Sequence, residues 1–129
     1  MTVTTVDMLS SAITFGDGGR VEAAEPRMTE DDGAWQLATF RVETDADVHA
    51  DHWEVHPAAE EAVCCLSGAL RVYFRPESPD GDETEVRLSA GGAVIVPRGR
   101  WHRLELDEPS VVMSVALRRG SRQEKRSDV

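Results

Sequence analysis

Nowhere in this sequence do apolar residues recur at the three-and-four spacing of a helix over three full turns between clear caps. The chain carries instead a succession of short runs rich in β-branched and aromatic residues. Trp35–Val42 is one, and Ala69–Phe74 is another, with Leu70, Val72 and Phe74 alternating with Ala69, Arg71 and Tyr73. Glu85–Leu88, Ala93–Val96, Trp101–Leu106 and Val111–Leu117 continue the series. Turn residues separate them: Pro57, Ser67-Gly68, Pro76 to Gly81, Gly91-Gly92, Pro97-Arg98-Gly99 and Asp107 to Pro109. Short strands so closely punctuated predict an antiparallel all-β fold, closed as a sandwich or barrel. Ala12–Phe15 is a further candidate strand, while Gly16 to Gly19 and Thr29 to Gly33 read as loops.

The length of 129 residues lets one domain bury roughly two thirds of its unfolded surface, so neither a disulfide framework nor a structural zinc is required. The reading is a single domain over residues 1–118, with its core at about 35–117, an N-terminal extension over 1–34 and a charged tail over 119–129. The longest apolar runs fall far short of the roughly 20 residues of a membrane span. The start of the chain has neither a basic leader nor a sustained apolar stretch, and a cytoplasmic location is the expectation. Cys64 and Cys65 are adjacent and read as free thiols in a reducing compartment.

A net charge of −10 repels phosphate backbones and anionic lipid, so nucleic acid and membrane surfaces are excluded as expected partners. The basic residues from Arg118 to Arg126 are interleaved with no apolar side chain to bury, and the tail reads as disordered or surface-bound.

Three of the four histidines fall in the segment from Asp47 to Phe74, together with Glu54, Glu60 and Glu61. If the chain is extended there, the period of two puts His52, Glu54 and His56 on one face and Trp53 and Val55 on the other. His49 falls out of phase, and His52 lies toward the rim. After Pro57 the chain returns with Glu61, Val63 and Cys65 on one face and Glu60 opposite. The fourth histidine, His102, shares a face with Leu104 and Leu106, an apolar inner wall suited to a ligand with some hydrophobic body. Trp53 and Trp101 read as packing residues, and Arg71 with Tyr73 reads equally as a surface pair or as a proton donor beside an anion anchor. Cys65, on the face of Glu61, reads as a small buried hydrophobe, with a place in the pocket lining as the alternative.

These residues resemble the two motifs of the cupin superfamily. The first runs histidine, any residue, histidine, a short spacer, glutamate, six residues, glycine. Here it reads Glu54-Val55-His56, four residues, Glu61, six residues, Gly68, with Glu54 standing where the first histidine usually is. The second appears as Gly91, five residues, Pro97-Arg98-Gly99, two residues, His102, with Leu106 in the position of the usual asparagine. The resemblance implies an antiparallel double-sheet jelly-roll barrel. It also implies a homodimer, and a metal held by Glu54, His56, Glu61 and His102.

Two carboxylates converging in a barrel interior repel each other, and a divalent cation relieves that cost. Iron, manganese, nickel and zinc all suit the donor set, with His56, Glu61 and His102 forming a two-histidine, one-carboxylate face. The function expected is metal-dependent chemistry on a small organic molecule, of dioxygenase, isomerase, cyclase or lyase type, with Glu54 or His52 as the catalytic acid or base. A barrel that binds a metabolite or senses a metal without turning anything over is the alternative.

Overall fold

The computed structural model describes residues 2–26 and 34–128. Eleven strands follow one another: β1 (Ala12–Gly16), β2 (Arg20–Ala24), β3 (Trp35–Val42), β4 (His52–Val55), β5 (Glu61–Ser67), β6 (Ala69–Phe74), β7 (Thr84–Ser89), β8 (Ala93–Val96), β9 (His102–Leu106), β10 (Ser110–Leu117) and β11 (Arg122–Lys125). Among the described residues the helical content is two short 3₁₀ turns, Asp17–Gly19 and Asp45–Val48. The all-β expectation holds, and every strand expected over the motif region is present within a residue or two. The expected loop over Thr29 to Gly33 lies outside the described residues.

The strands form two antiparallel sheets, one in the order β2-β1-β3-β10-β5-β8 and the other in the order β11-β4-β9-β6-β7, the double-sheet arrangement of a jelly roll. The period of two sorts their side chains. On β5, Glu61, Val63 and Cys65 are buried while Ala62 and Cys64 are half-exposed. On β10, Ser110, Val112, Ser114 and Ala116 point inward and Val111, Met113, Val115 and Leu117 outward. Between the sheets Val63, Cys65, Leu70, Val72, Val96 and Val112 form one apolar cluster, packed by Leu104 and Leu106 as expected. Leu70, Val72 and Cys65 are fully buried. Cys65 is thus a core hydrophobe, and Cys64 and Cys65 are both free.

The outer face of the second sheet explains the tryptophans. Trp53 is buried there although it points away from the cavity, because the Arg103 guanidinium lies over it at 5.2 Å and over Tyr73 at 4.1 Å. Arg103 is in turn paired with Glu83 and Glu105. Arg75 lies 4.4 Å over Trp101. Arg71 and Tyr73 belong to the same outer layer, and of their two readings it is the surface pair that the structure adopts.

The tail departs most from its reading. Arg122–Lys125 carries no apolar residue, yet it forms β11 and pairs with β4 in the register Arg122↔Val55, Gln123↔Glu54, Glu124↔Trp53 and Lys125↔His52. Backbone hydrogen bonds, which composition does not reveal, hold it to the sheet edge. β2, Arg20–Ala24, is likewise a strand that its composition hides, returning through the Gly18-Gly19 turn onto β1.

Gly68 joins β5 to β6 at φ +88, and a Cβ there would sit 2.3 Å from Ser110 Oγ and 2.5 Å from the Pro109 carbonyl oxygen. Gly68→Ala combines left-handed backbone strain with a clash against main chain, and is expected to destabilise the fold by about 2 kcal/mol or more. Urea unfolding monitored by tryptophan fluorescence checks it, and an unchanged midpoint would refute it.

Candidate metal centre

Four side chains converge at one end of the space between the sheets. β4 delivers Glu54, its C-terminal continuation delivers His56, β5 begins with Glu61, and β9 begins with His102. The register pairs Glu54 directly with His102 across β4 and β9. The Pro97-Arg98-Gly99 turn helps place both histidines, because the Gly99 N–H donates to the His56 carbonyl at 3.0 Å three residues before β9 starts. One ligand atom from each of Glu54, His56, Glu61 and His102 lies within 4.8 Å of the others.

Nε2 of His56 is 3.0 Å from Glu61 Oε1 and 3.1 Å from Glu54 Oε1, and Nε2 of His102 is 3.0 Å from Glu61 Oε1 and 3.9 Å from Glu54 Oε1. His56, Glu61 and His102 are buried, with 2%, 3% and 3% of their surface exposed. Despite these separations, His56 Nε2 and Glu61 Oε1 have no hydrogen-bond partner. Donor atoms bound at about 2.1 Å to one ion stand about 3.0–3.4 Å apart, a range that three of these separations match while His102 Nε2 to Glu54 Oε1, at 3.9 Å, is wider.

The far side of each imidazole supports this. His102 Nδ1 lies 3.2 Å from the Arg100 carbonyl oxygen, and a carbonyl only accepts, so Nδ1 carries a proton and Nε2 is the nitrogen turned to the centre. His56 Nδ1 meets Ser121 Oγ at 2.7 Å. Such partners fix ring orientation and tautomer in metal sites.

The same groups settle the charges of the metal-free state. Burial pulls the His56 imidazole toward the neutral form, but Glu54 and Glu61 beside it prevail and its pKa is pushed up to about 9. For Glu61 burial is the largest single influence and opposes ionisation, yet His102 and His56 together hold its carboxyl well below the usual range. Glu54 follows the same balance, burial opposing ionisation while His56 and then Arg118 lower its pKa.

Four contributors were not singled out in the sequence. Ser114 of β10 donates to Glu61 Oε2 at 2.6 Å. Arg118, assigned above to the basic tail, is 5% exposed and stands 3.6 Å from Glu54 and 3.5 Å from Glu61. Its signal was available, since it continues the inward phase of Ser114 and Ala116. Ser121 had none: it arrives through a turn in which its N–H donates to the Arg118 carbonyl at 3.0 Å and Gly120 takes φ +70. From β11, Gln123 donates to Glu54 Oε2 at 3.4 Å.

A cavity of about 190 Å³ opens onto Glu54, Glu61 and His102. Phe40, Val42, Val63, Leu104 and Val112 wall it. His52 lines its mouth, hydrogen-bonded to Asp51 at 2.8 Å, and His49 stands there too in the left-handed conformation (φ 51). Glu60 is exposed and takes no part.

Comparison with known proteins agrees with this architecture. The chain belongs to the cupin domain family, whose pattern matches residues 38–116. Among solved structures, it is 22% identical to a cupin-2 domain containing protein from Shewanella frigidimarina, over 69% of this chain and 74% of that one, with a TM-score of 0.47. It is 21% identical to a hydroquinone 1,2-dioxygenase solved with Cd²⁺ and 4-hydroxybenzonitrile, over 64% of this chain and 57% of that one, at a TM-score of 0.49. An oxalate oxidase is 20% identical over 69% of this chain and 44% of its own, at a TM-score of 0.50. The chain therefore spans about half the length of those two enzymes, and the likeness concerns the fold. No curated protein matches the sequence. Among the described residues no helix is long and apolar enough to cross a membrane.

The raised pKa of His56 makes the metal-free fold pH-sensitive. Its charged-state stabilisation is fully present below the unfolded value of 6.5 and is lost as pH rises through about 9. The depressed pKa of Glu61 contributes stability above 4.5 that disappears as pH falls below it. Chelator-treated protein is expected to lose urea stability between pH 6.5 and 9.5, and His56→Gln is expected to flatten that alkaline decline. Parallel curves for the two proteins would refute the assignment.

Proposed function

We propose that the protein is a metal-dependent cupin that holds one divalent ion through Glu54, His56, Glu61 and His102 and acts on a small organic molecule in the adjoining cavity. The observation that carries this reading is the buried pair His56 Nε2 and Glu61 Oε1, 3.0 Å apart and without a hydrogen-bond partner. The two atoms are held as an ion pair but make no hydrogen bond, and a shared cation supplies the directed partner that each lacks. Iron, manganese, nickel or zinc fits the two imidazoles and two carboxylates.

A bound ion supplies Lewis-acid polarisation of a substrate oxygen, or redox chemistry where it is iron. The protein's own groups do the rest. Ser114 and Arg118 hold Glu61 in place, and Gln123 orients Glu54. Glu54, with 18% of its side chain exposed, is the most open of the four. It is the group placed to move a proton, and His52 with Asp51 is placed to relay one at the mouth. The apolar walls exclude water and seat an apolar body. Acid–base chemistry of isomerase, cyclase or lyase type follows from this arrangement. Two free cysteines fit a reducing, cytoplasmic setting.

Untagged protein purified without chelator is expected to carry about one transition-metal ion per chain by inductively coupled plasma mass spectrometry. His56→Ala combined with His102→Ala is expected to lose it. Ser121→Ala is expected to retain the site with affinity weakened about 10- to 100-fold. Wild type that holds no ion, and takes up none of iron(II), manganese, nickel or zinc, would overturn the reading. Given a small-molecule extract, the loaded protein is expected to yield products without added oxygen atoms, and Glu54→Gln to abolish them with the metal retained. A product gaining two oxygen atoms would assign it to the dioxygenase class instead.

We also infer a homodimer. Register sets Phe15 beside both Val21 and Trp35 on the outer face of the first sheet, and all three are exposed, by 40%, 61% and 40%. A chain of net charge −10 meets its copy most easily on an uncharged face. Light scattering is expected to give twice the chain mass for wild type and the chain mass for Trp35→Glu. A monomeric wild type would refute it.

A further inference from the structure

Arg118 is the buried charged group that the metal centre does not need as a ligand. It follows β10 in the inward phase, lines the cavity and stands 3.6 Å from Glu54 Oε1 through Nη1 and 3.5 Å from Glu61 Oε2 through Nη2. Nη2 donates to Ser114 Oγ at 3.2 Å. Nε and Nη1 are fully buried and have no hydrogen-bond partner. A guanidinium does not escape burial by releasing a proton, so this charge is permanent.

Its effect appears when the charges of a loaded centre are counted. Glu54 and Glu61 are anionic, the ligating imidazoles are neutral, Arg118 is cationic, and a divalent ion leaves one surplus positive charge. A neutral ligand at position 54 with no arginine gives the same total. The carboxylate of Glu54 and the guanidinium of Arg118 together are thus electrically equivalent to a neutral ligand, with one difference: the arginine brings unpaired donors into the cavity. Other charged groups lining the cavity do not cancel the surplus. Arg103 spends its guanidinium on Glu83 and Glu105, and Asp47, at the exposed mouth, accepts from the backbone N–H groups of Glu43 and Thr44.

Resting on the metal reading above, we propose that Arg118 makes the loaded cavity an anion site, which takes a small molecule with an apolar body and an anionic oxygen head group. The head group pairs with the Arg118 guanidinium that lines the cavity and cancels the surplus charge in a low-dielectric space, where that charge is costly to leave unmet. The body occupies the walls formed by Phe40, Val42, Val63, Leu104 and Val112. A neutral ligand of the same shape fills the walls and leaves the charge standing.

The test uses the full chain loaded with Co²⁺, with metal content measured for each variant. The visible Co²⁺ spectrum follows titration with azide, with benzoate and with its neutral counterpart benzamide. Wild type is expected to bind benzoate at least about tenfold more tightly than benzamide. Arg118→Gln is expected to move two affinities in opposite directions: Co²⁺ binds at least about tenfold more tightly, because a cation close to two ligand carboxylates is gone, while azide and benzoate bind at least about tenfold more weakly. Arg118→Lys, which keeps the charge, is expected to return both to within about fivefold of wild type. A merely structural arginine would weaken ion and anion together, and that result overturns the proposal. So does wild type that binds benzamide as well as benzoate or ignores both anions, or Arg118→Gln with undiminished benzoate affinity. Wild type that takes up no Co²⁺ overturns the metal reading itself and this proposal with it.

Discussion

Everything around the site follows from one buried carboxylate. Glu61 is 3% exposed at the start of a central-sheet strand, where an unpaired charge is prohibitively expensive. Four groups answer it, His56, His102, Ser114 and Arg118, while Glu54 repels it and shares His56 with it. They come from β4, β9, β10 and the turn after β10, so that satisfying one side chain ties both sheets together. A core of Leu70, Val72 and their neighbours supplies cohesion without direction. The polar cluster supplies direction, because ion pairs and hydrogen bonds constrain geometry where apolar contacts do not.

Chain connectivity turns that requirement into an architecture. After β10 the chain makes one turn, with Arg118 at its start and Ser121 at its end, and both side chains are buried against the cluster. β11 then runs antiparallel to β4, the strand that carries Glu54, and sets Gln123 opposite it. The last strand is therefore a clamp on the first ligand strand. Its lack of apolar residues is no obstacle, because ladder hydrogen bonds and the contacts of Ser121 and Gln123 hold it.

The legible and illegible parts of this structure divide by range. Alternation within Trp35–Val42, Ala69–Phe74 and Val111–Leu117 is a local property, and it revealed those strands together with the inward phase of Val63, Cys65 and Leu104. Glu54, His56, Glu61 and His102 were legible because the motif spacing is itself a record of the fold. The glycine and proline landmarks at Gly68, Gly91, Pro97 and Gly99 place a hairpin and a turn, and those bring His102 beside Glu54. Ser114 and Ser121 were not legible. Their partners lie 53 and 65 residues away, and a serine that completes a buried carboxylate looks like any other serine on its strand. Arg118 was misplaced for a different reason. Its basic neighbours Arg119 and Arg122 are exposed, and composition averaged it with them although its phase set it apart.

The apolar core and the polar cluster meet at the cavity, where Val42, Val63, Leu104 and Val112 belong to both the core and the walls, and this bears on what the polar cluster is for. Buried acid–imidazole–arginine groups contribute little net stability and are often outdone by well-packed apolar residues of similar size. Here an apolar cluster already joins the two sheets, so cohesion does not require four titratable side chains, an arginine and two serines beside it. Their partial satisfaction is informative too: the imidazole nitrogens facing outward are met by a carbonyl and a hydroxyl, while His56 Nε2 and Glu61 Oε1, facing the centre, are left without hydrogen bonds. A cluster shaped by stability alone would pair its inner atoms first. The arrangement found holds its outer atoms by hydrogen bonds and leaves two inner atoms without them, an arrangement that a shared cation would complete.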